Sequence, residues 1–345
     1  MYSNKTNSDT LGVGVVGYGY WGPNLVRNFN ELDGTHVVTV CDMNIARLKQ
    51  VQAKYPGMEV TADYAAMLAD HRVQVVCVAT PVRSHFALAK AALLAGKHVF
   101  VEKPMAETGT QAEELIELAE RQRRVLMVDH TFIYTGAVRK MRELVETGEL
   151  GDVYYYDSVR VNLGLFQHDV NVIWDLAIHD LAVMEYVLGQ APKAVSATGI
   201  SHLRGQPENI AYLTMFFEGS LIAHMHVNWL APVKIRRTLL GGSRKMVVYD
   251  DLEPSEKIKI YDKGASVAES PEAIRQMLVS YRTGDAWLPK LDATEALTAE
   301  ARHFRDCIRE GRQPLSDGRA GLRTVRILEA ASQSLKLRGQ PVELP

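Results

Sequence analysis

Short Val-rich runs alternate with amphipathic stretches over the first third of the chain. The runs GVGVVG (12–17), HVVTVC (36–41), VQVVCVA (73–79), HVFV (98–101) and VLMV (125–128) are apolar at nearly every position. Strands buried on both faces have that composition. Between them, helical spacing runs over Asn24–Asn30, Ile45–Tyr55, Ser84–Leu94 and Gln111–Gln122. In the last of these, Leu115, Ile116, Leu118 and Ala119 form one stripe among charged residues. Gly96 follows the third helix as a C-cap. The alternation predicts a parallel, doubly wound α/β sheet of the Rossmann kind.

The pattern changes after about residue 135. Val138–Val145 reads as a helix and Asp152–Asn162 as a strand, and a helix of four turns over Trp174–Leu188 stops at Gly189. Strand-like stretches follow at Ala194–Gly199, Ile210–Phe217, Leu221–Asn228, Ile235–Leu240 and Lys245–Tyr249, with Glu218-Gly219-Ser220 as a hairpin turn. Residues 264–290 show no period and read as irregular, and Thr294–Glu310 and Gly321–Leu335 return to helical spacing. The expected architecture is a Rossmann domain over residues 11–130, after a loosely ordered start at 1–10. A C-terminal α+β domain over 131–345 then carries a mainly antiparallel sheet. Its helices at 294–335 are expected to return to the first domain.

Composition narrows the possible functions. The chain has 345 residues, with 39 Lys+Arg against 41 Asp+Glu, a balance that argues against a nucleic-acid partner. No apolar run approaches the ~18 residues of a membrane span. The polar start MYSNKTNSDT does not read as a signal peptide. Cys41, Cys77 and Cys307 are odd in number and far apart, so neither a disulfide framework nor a cysteine zinc site is expected and a reducing cytoplasm is the simple inference.

Gly17-Tyr18-Gly19-Tyr20-Trp21-Gly22 follows the first strand and opens a helix, which is the context a dinucleotide fingerprint requires. Its glycines let a pyrophosphate approach the N–H groups of the helix terminus. Asp42 ends the second strand 20 residues after Gly22, where a carboxylate accepts from the adenosine ribose hydroxyls and repels a 2′-phosphate. NAD is therefore expected over NADP, although Arg47 lies close behind. Thr80-Pro81, with His85 beyond, and Glu102-Lys103-Pro104 end later strands, and the carboxyl ends of such strands face the ligand crevice. Lys103 there could bond a substrate hydroxyl. As a lone residue it could equally be a surface lysine. Asp175 and His179 stand four apart on one expected helix and share a face, with Asp180, His168 and Asp169 nearby. That pair suits a general base and its orienting carboxylate, or an ordinary helix-face pair. His224 and His226 share a strand face without a third ligand, so no metal is expected.

Taken together, GYGYWG, Asp42, ATPVRSH (79–85), AGKHVFVEKP (95–104) and the Asp175/His179 pair resemble the glucose-fructose oxidoreductase / inositol dehydrogenase (Gfo/Idh/MocA) family. The resemblance extends through the tail HFRDCIREGRQPLSDGRAGLRTVRILEAASQSL (303–335). It implies catalytic roles for Lys103, Asp175 and His179, a cis Lys103-Pro104 bond, and a substrate-binding C-terminal domain whose large open sheet forms a homodimer or homotetramer. It implies cofactor contacts from Gly17, Gly19, Tyr20, Trp21, Gly22, Asp42, Thr80, Pro81, His85, Glu102 and Lys103. The stretches 162–180 and 227–251 are similar to the branch acting on nucleotide-linked or glycosidically linked sugars, which adds Asn162, Asn171 and Trp174 to the substrate wall. Asn171-Val172-Ile173-Trp174 stands where many members carry a Gly-rich run, a departure that argues against a simple polyol.

The expected protein is thus an NAD-dependent dehydrogenase that oxidises a secondary ring hydroxyl, C3 foremost, of a nucleotide-linked or glycosidic sugar in amino-sugar, surface-polysaccharide or antibiotic biosynthesis. An inositol or polyol dehydrogenase, a non-catalytic NAD-binding regulator, and a redox-neutral elimination at a glycosidic bond are the alternatives.

Overall fold

A computed structural model describes residues 10–164, 170–267 and 279–345. The chain divides into two compact units: residues 1–134 with 294–326, and residues 135–293 with 327–345. Residues 1–10, expected to be loosely ordered, lie outside the described residues except for Thr10.

The first unit is built on six strands: β1 (Leu11–Val16), β2 (Thr35–Cys41), β3 (Glu59–Thr61), β4 (Val75–Val78), β5 (His98–Glu102) and β6 (Leu126–Asp129). They pair in the order β3-β2-β1-β4-β5-β6, all parallel. This is the dinucleotide-binding strand order, with a switch point between β1 and β4. The helices α1 (Gly22–Glu31), α2 (Ile45–Lys54), α3 (Tyr64–Ala69), α4 (His85–Leu94) and α5 (Gly109–Gln122) connect them. Val13, Val15, Val76, Val99 and Val101 are fully buried, as strands covered on both faces require. The sequence pattern did not foresee β3 and α3, because three strand residues and six helical residues are too few to display a period.

The second unit contains α6 (Gly136–Glu146), β7 (Val153–Leu163), α7 (Ile178–Leu188), β8 (Ala194–Ile200), β9 (Ile210–Phe216), β10 (Ile222–Asn228), β11 (Leu230–Gly242), β12 (Met246–Asp250) and β13 (Ile258–Tyr261). With β16 (Ala286–Trp287) and β17 (Val342–Glu343) its strands form a nine-stranded sheet in the order β16-β13-β12-β11-β7-β10-β9-β8-β17. Every pairing is antiparallel except β10 with β7. Tyr156, Met215, Leu213, Met225 and Val227 bury one face of it. On the other face Tyr212 stacks on His226 with ring centroids 4.5 Å apart.

Two expectations are corrected here. The stretch 264–290 is not simply irregular: β14 (Gly264–Val267) pairs with β15 (Val279–Arg282), and β16 joins the edge of the large sheet. Strands of two to four residues cannot show alternation. In addition, β11 starts at Leu230 rather than Ile235, and the register slips between those residues, around Pro232, which has no N–H to give the ladder.

Two further helices, α8 (Ala296–Glu310) and α9 (Gly318–Lys336), follow. Phe304 of α8 packs edge-on against Phe29 and Phe100 inside the first unit.

Candidate active site

In the first unit the glycine loop lies between β1 and α1. Gly17 has φ +95°, and a Cβ there would sit 2.6 Å from the Ala79 carbonyl oxygen. A Cβ on Gly22 would sit 2.1 Å from the Gly17 carbonyl oxygen. Both glycines are therefore demanded by the protein's own backbone. Gly19 is different: a Cβ there meets nothing nearer than the Arg47 guanidinium at 3.8 Å. The loop is thus a cradle of bare backbone before the N-terminus of α1, whose first turn carries no acidic residue. That arrangement fits a pyrophosphate.

Asp42 is buried just beyond β2. Its Oδ2 accepts from the Tyr18 N–H at 2.7 Å and its Oδ1 from the Asn44 N–H at 2.8 Å. The Arg47 guanidinium lies 3.4 Å from Oδ2. The carboxylate therefore ties the glycine loop to the end of β2. Tyr20 projects from the loop, 92% exposed, whereas the Trp21 indole turns back and donates to Asp129 Oδ2 at 2.6 Å.

Thr80 and Pro81 follow β4, and the Ser84 hydroxyl donates to Thr80 Oγ1 at 2.8 Å. His85 stands behind them at the start of α4. It is buried, with Nδ1 2.8 Å from the Pro104 carbonyl oxygen and Nε2 2.6 Å from that of Thr80. The ring lies between the two strand ends, and the single N–H of a neutral imidazole donates to one of these two carbonyls. Burial pushes its pKa down. Glu102 ends β5 and Lys103 follows it, both half-buried, and the Lys103–Pro104 peptide is cis.

Beneath Trp21 lies a buried acid pair that the sequence reading did not single out. Asp129 pairs in register with Glu102 and takes the Thr131 hydroxyl at 2.5 Å as well as Trp21. Glu300 of α8 is fully buried beside Asp129, and neither of its carboxyl oxygens has a hydrogen-bond partner among the described residues. Burial raises both carboxyl pKa values, that of Glu300 well above the ordinary range, with the Asp129 charge adding to it. The neighbouring His130 is buried and pushed down to about 4 by burial and the Lys103 charge. The carboxyl-end rule points to Asp129 and His130. Glu300, one polar position in a charged helix, gave no signal.

In the second unit Asn162, Asn171, Trp174, Asp175 and His179 are all half-buried. The helix expected over Trp174–Leu188 is split: Ile173–Ala177 is a π-helical turn that runs into α7. Such wide turns occur often at functional sites. Asn171 caps the turn. Its Oδ1 accepts from the Ile173 and Trp174 N–H groups at 3.2 and 3.3 Å, and its Nδ2 donates to Glu208 at 3.2 Å. The carboxamide is thus engaged in building the turn. The Trp174 indole N–H is likewise spent, donating to the Ser332 hydroxyl at 2.9 Å.

Asp175 is held by a residue the sequence reading missed: the Trp229 indole donates to Asp175 Oδ2 at 2.9 Å. Trp229 is 1% exposed, and a Cβ on Gly164 would lie 2.7 Å from its ring and 3.3 Å from Asn162 Nδ2, so Asn162 borders the same spot. Asp180 faces away from this chemistry. It is buried in a bidentate pair with Arg160, at 2.8 and 3.1 Å. His168 and Asp169 lie outside the described residues. Among the described residues no cluster of His, Cys, Asp or Glu could hold a metal ion, and no helix is long and apolar enough to cross a membrane. The three cysteines are unpaired and buried, and burial drives the Cys41 and Cys307 thiols up to about 11.

Comparison with known proteins bears on this arrangement. The family profile for the oxidoreductase family with NAD-binding Rossmann fold (GFO_IDH_MocA) matches residues 11–130, and the GFO/IDH/MocA C-terminal domain matches residues 138–248. The chain belongs to the Gfo/Idh/MocA oxidoreductase family. The Escherichia coli oxidoreductase YdgJ is 30% identical over 72% of this chain and 74% of its own length. UDP-N-acetylglucosamine 3-dehydrogenase of Acidithiobacillus ferrooxidans is 27% identical over 93% of this chain and 95% of its own. The solved structure of that enzyme superposes with a TM-score of 0.80 at 24% identity, covering 96% of this chain and 99% of the other. The Bacillus subtilis scyllo-inositol 2-dehydrogenase (NADP(+)) IolW is 25% identical over 97% of each chain. The first unit of this family member is an NAD-binding Rossmann domain, and the glycine cradle fits that cofactor.

Proposed function

We propose that the protein oxidises a secondary ring hydroxyl of a nucleotide-linked or glycosidically linked sugar to a ketone, C3 foremost, with NAD in preference to NADP. The observation that carries this reading is the Asp175 carboxylate, fixed by Trp229 on the π turn that leads into His179. His179 takes the hydroxyl proton as general base. Asp175 and Lys103 hold the substrate oxygen, and the ammonium of Lys103 offsets the negative charge that gathers there. Bound NAD supplies the hydride acceptor. Gly17, Gly19 and Gly22 admit its pyrophosphate, and Asp42 favours an unphosphorylated ribose. The likeness to UDP-N-acetylglucosamine 3-dehydrogenase over nearly the whole chain supports the sugar and the ring position. The exposed face bearing Tyr212, Phe216 and Ile222 supports pairing of copies through the large sheet, in a cytoplasmic enzyme.

The likeness to IolW favours a second reading, oxidation of a free inositol. One screen separates them: purified protein with NAD, assayed for reduced cofactor on UDP-linked amino sugars and on free inositols. Turnover is expected on the linked sugars. On the preferred substrate, His179→Ala should lose about 10²–10⁴-fold in kcat with NAD affinity kept. Near-normal turnover in that variant would overturn the assignment.

A further inference from the structure

At the amino ends of β5 and β6, the sheet edge opposite the carboxyl ends that receive the cofactor, the first unit carries a cleft of about 640 Å³. Clefts of that size hold small molecules. Four arginines from two distant chain segments line it: Arg123 and Arg124 after α5, and Arg312 and Arg319 around the link between α8 and α9. The acids at the cleft are already engaged. Glu120 pairs with Arg319 at 2.8 Å, Glu310 pairs with Arg312, and Asp317 accepts from the Ala320 N–H at 2.8 Å. Among the described residues Arg123 and Arg124 have no carboxylate partner.

The backbone gives an independent sign. Arg123 is the C-cap of α5 and sits in the left-handed region at φ 52°, ψ 46°. Glycine is the residue that occupies such a cap without strain. Only one other non-glycine residue among those described, Arg338, has a positive φ. Ile116, Leu126 and Ile308 add an apolar stretch of wall, with Gln313 beside them in the lining. His98 adds a neutral donor: its Nδ1 accepts from the Val125 N–H at 3.0 Å, which leaves the proton on Nε2.

We infer that this cleft is a second binding site, separate from the cofactor crevice, for a small phosphorylated anion held by the guanidinium groups of Arg123 and Arg124. Guanidinium binds phosphate oxygens bidentately, and two such groups with no acid partner suit a diphosphate better than a monoanion. The apolar wall gives room for a planar body attached to it.

The test uses the full chain saturated with NAD and titrated calorimetrically, at ~0.15 M salt, with inorganic phosphate, pyrophosphate and uridine diphosphate as separate probes. Pyrophosphate should bind saturably with Kd below about 1 mM. Arg123→Gly is the informative variant, because glycine is at ease in the left-handed cap and the protein should melt no lower. In that variant pyrophosphate affinity should fall about tenfold, and further in Arg123→Gly/Arg124→Ala, while NAD affinity holds. An Arg123-dependent gain of uridine diphosphate over pyrophosphate would assign the ligand to a nucleotide, and no gain would assign it to free phosphates. Absence of saturable binding in the wild type, or an affinity in the double variant within about twofold of the wild type, overturns the inference.

Discussion

The Trp229 indole N–H reaches Oδ2 of Asp175 over 2.9 Å and so joins the turn after β10 to the π turn before α7. Two residues 54 apart in sequence become one unit, a carboxylate with its orientation set. Trp229→Phe keeps most of the ring and removes only the donor. A hydrogen bond to a charged group is worth about 1.5–3 kcal/mol, so kcat should fall roughly tenfold or more while NAD affinity is unchanged. Steady-state kinetics beside a fluorescence titration of NAD would show it. If the variant only melts lower and turns over normally, the indole is packing and nothing else.

The glycines of the cofactor loop should separate by role. Gly22→Ala places a methyl 2.1 Å from a backbone oxygen, so it should displace the loop and lower the melting temperature. Gly19→Ala meets only the far end of Arg47, so it should fold normally and lose NAD affinity alone. A Gly19→Ala protein that binds NAD like the wild type would remove the pyrophosphate from that place.

The Asp129–Glu300 pair makes a prediction about pH. A carboxyl whose folded pKa is raised contributes stability below its unfolded value, about 4.3 for glutamate, and loses it as pH rises through the folded value. Burial raises Glu300 well above the usual range. Stability should therefore decline toward alkaline pH. Glu300→Gln keeps the shape and carries no charge, so its denaturation midpoint should vary less with pH above 5 than the wild type's. Identical pH profiles for the two proteins would mean that Glu300 ionises without cost.

Asp180 and Arg160 are both under 10% exposed and joined by two hydrogen bonds. Removing one partner of such a pair strands a buried charge and costs about 3–5 kcal/mol. Asp180→Ala should lose that much in urea denaturation, while the surviving folded enzyme keeps its turnover. A large drop in kcat at intact stability would return Asp180 to the substrate.

The Rossmann unit was legible because its strands announce themselves twice, by unbroken Val-rich runs and by the glycines and Asp42 that follow them. Asp175 and His179 were legible as a spaced pair, although the spacing was assigned to an α-helix and the structure puts Asp175 in a π turn. The partners of Asn171 were not legible, because a polar side chain beside a candidate site has no address in one dimension. In three dimensions its two polar ends are taken by the turn and by Glu208. His85 shows the same limit: only the tertiary structure sets its ring between the Thr80 and Pro104 carbonyls.

Local periodicity and motif spacing, which act over a few residues, were enough to determine the two kinds of sheet, the glycine cradle and which residues carry ionisable chemistry. Partners far apart in the chain were decided only by tertiary structure: Trp229 with Asp175, Glu300 with Asp129, Arg160 with Asp180, and the arginines of two separate segments around one cleft. The reason is that a hydrogen bond or a desolvated charge depends on distance in space, and a sequence fixes that distance only within a helix turn or a strand pair.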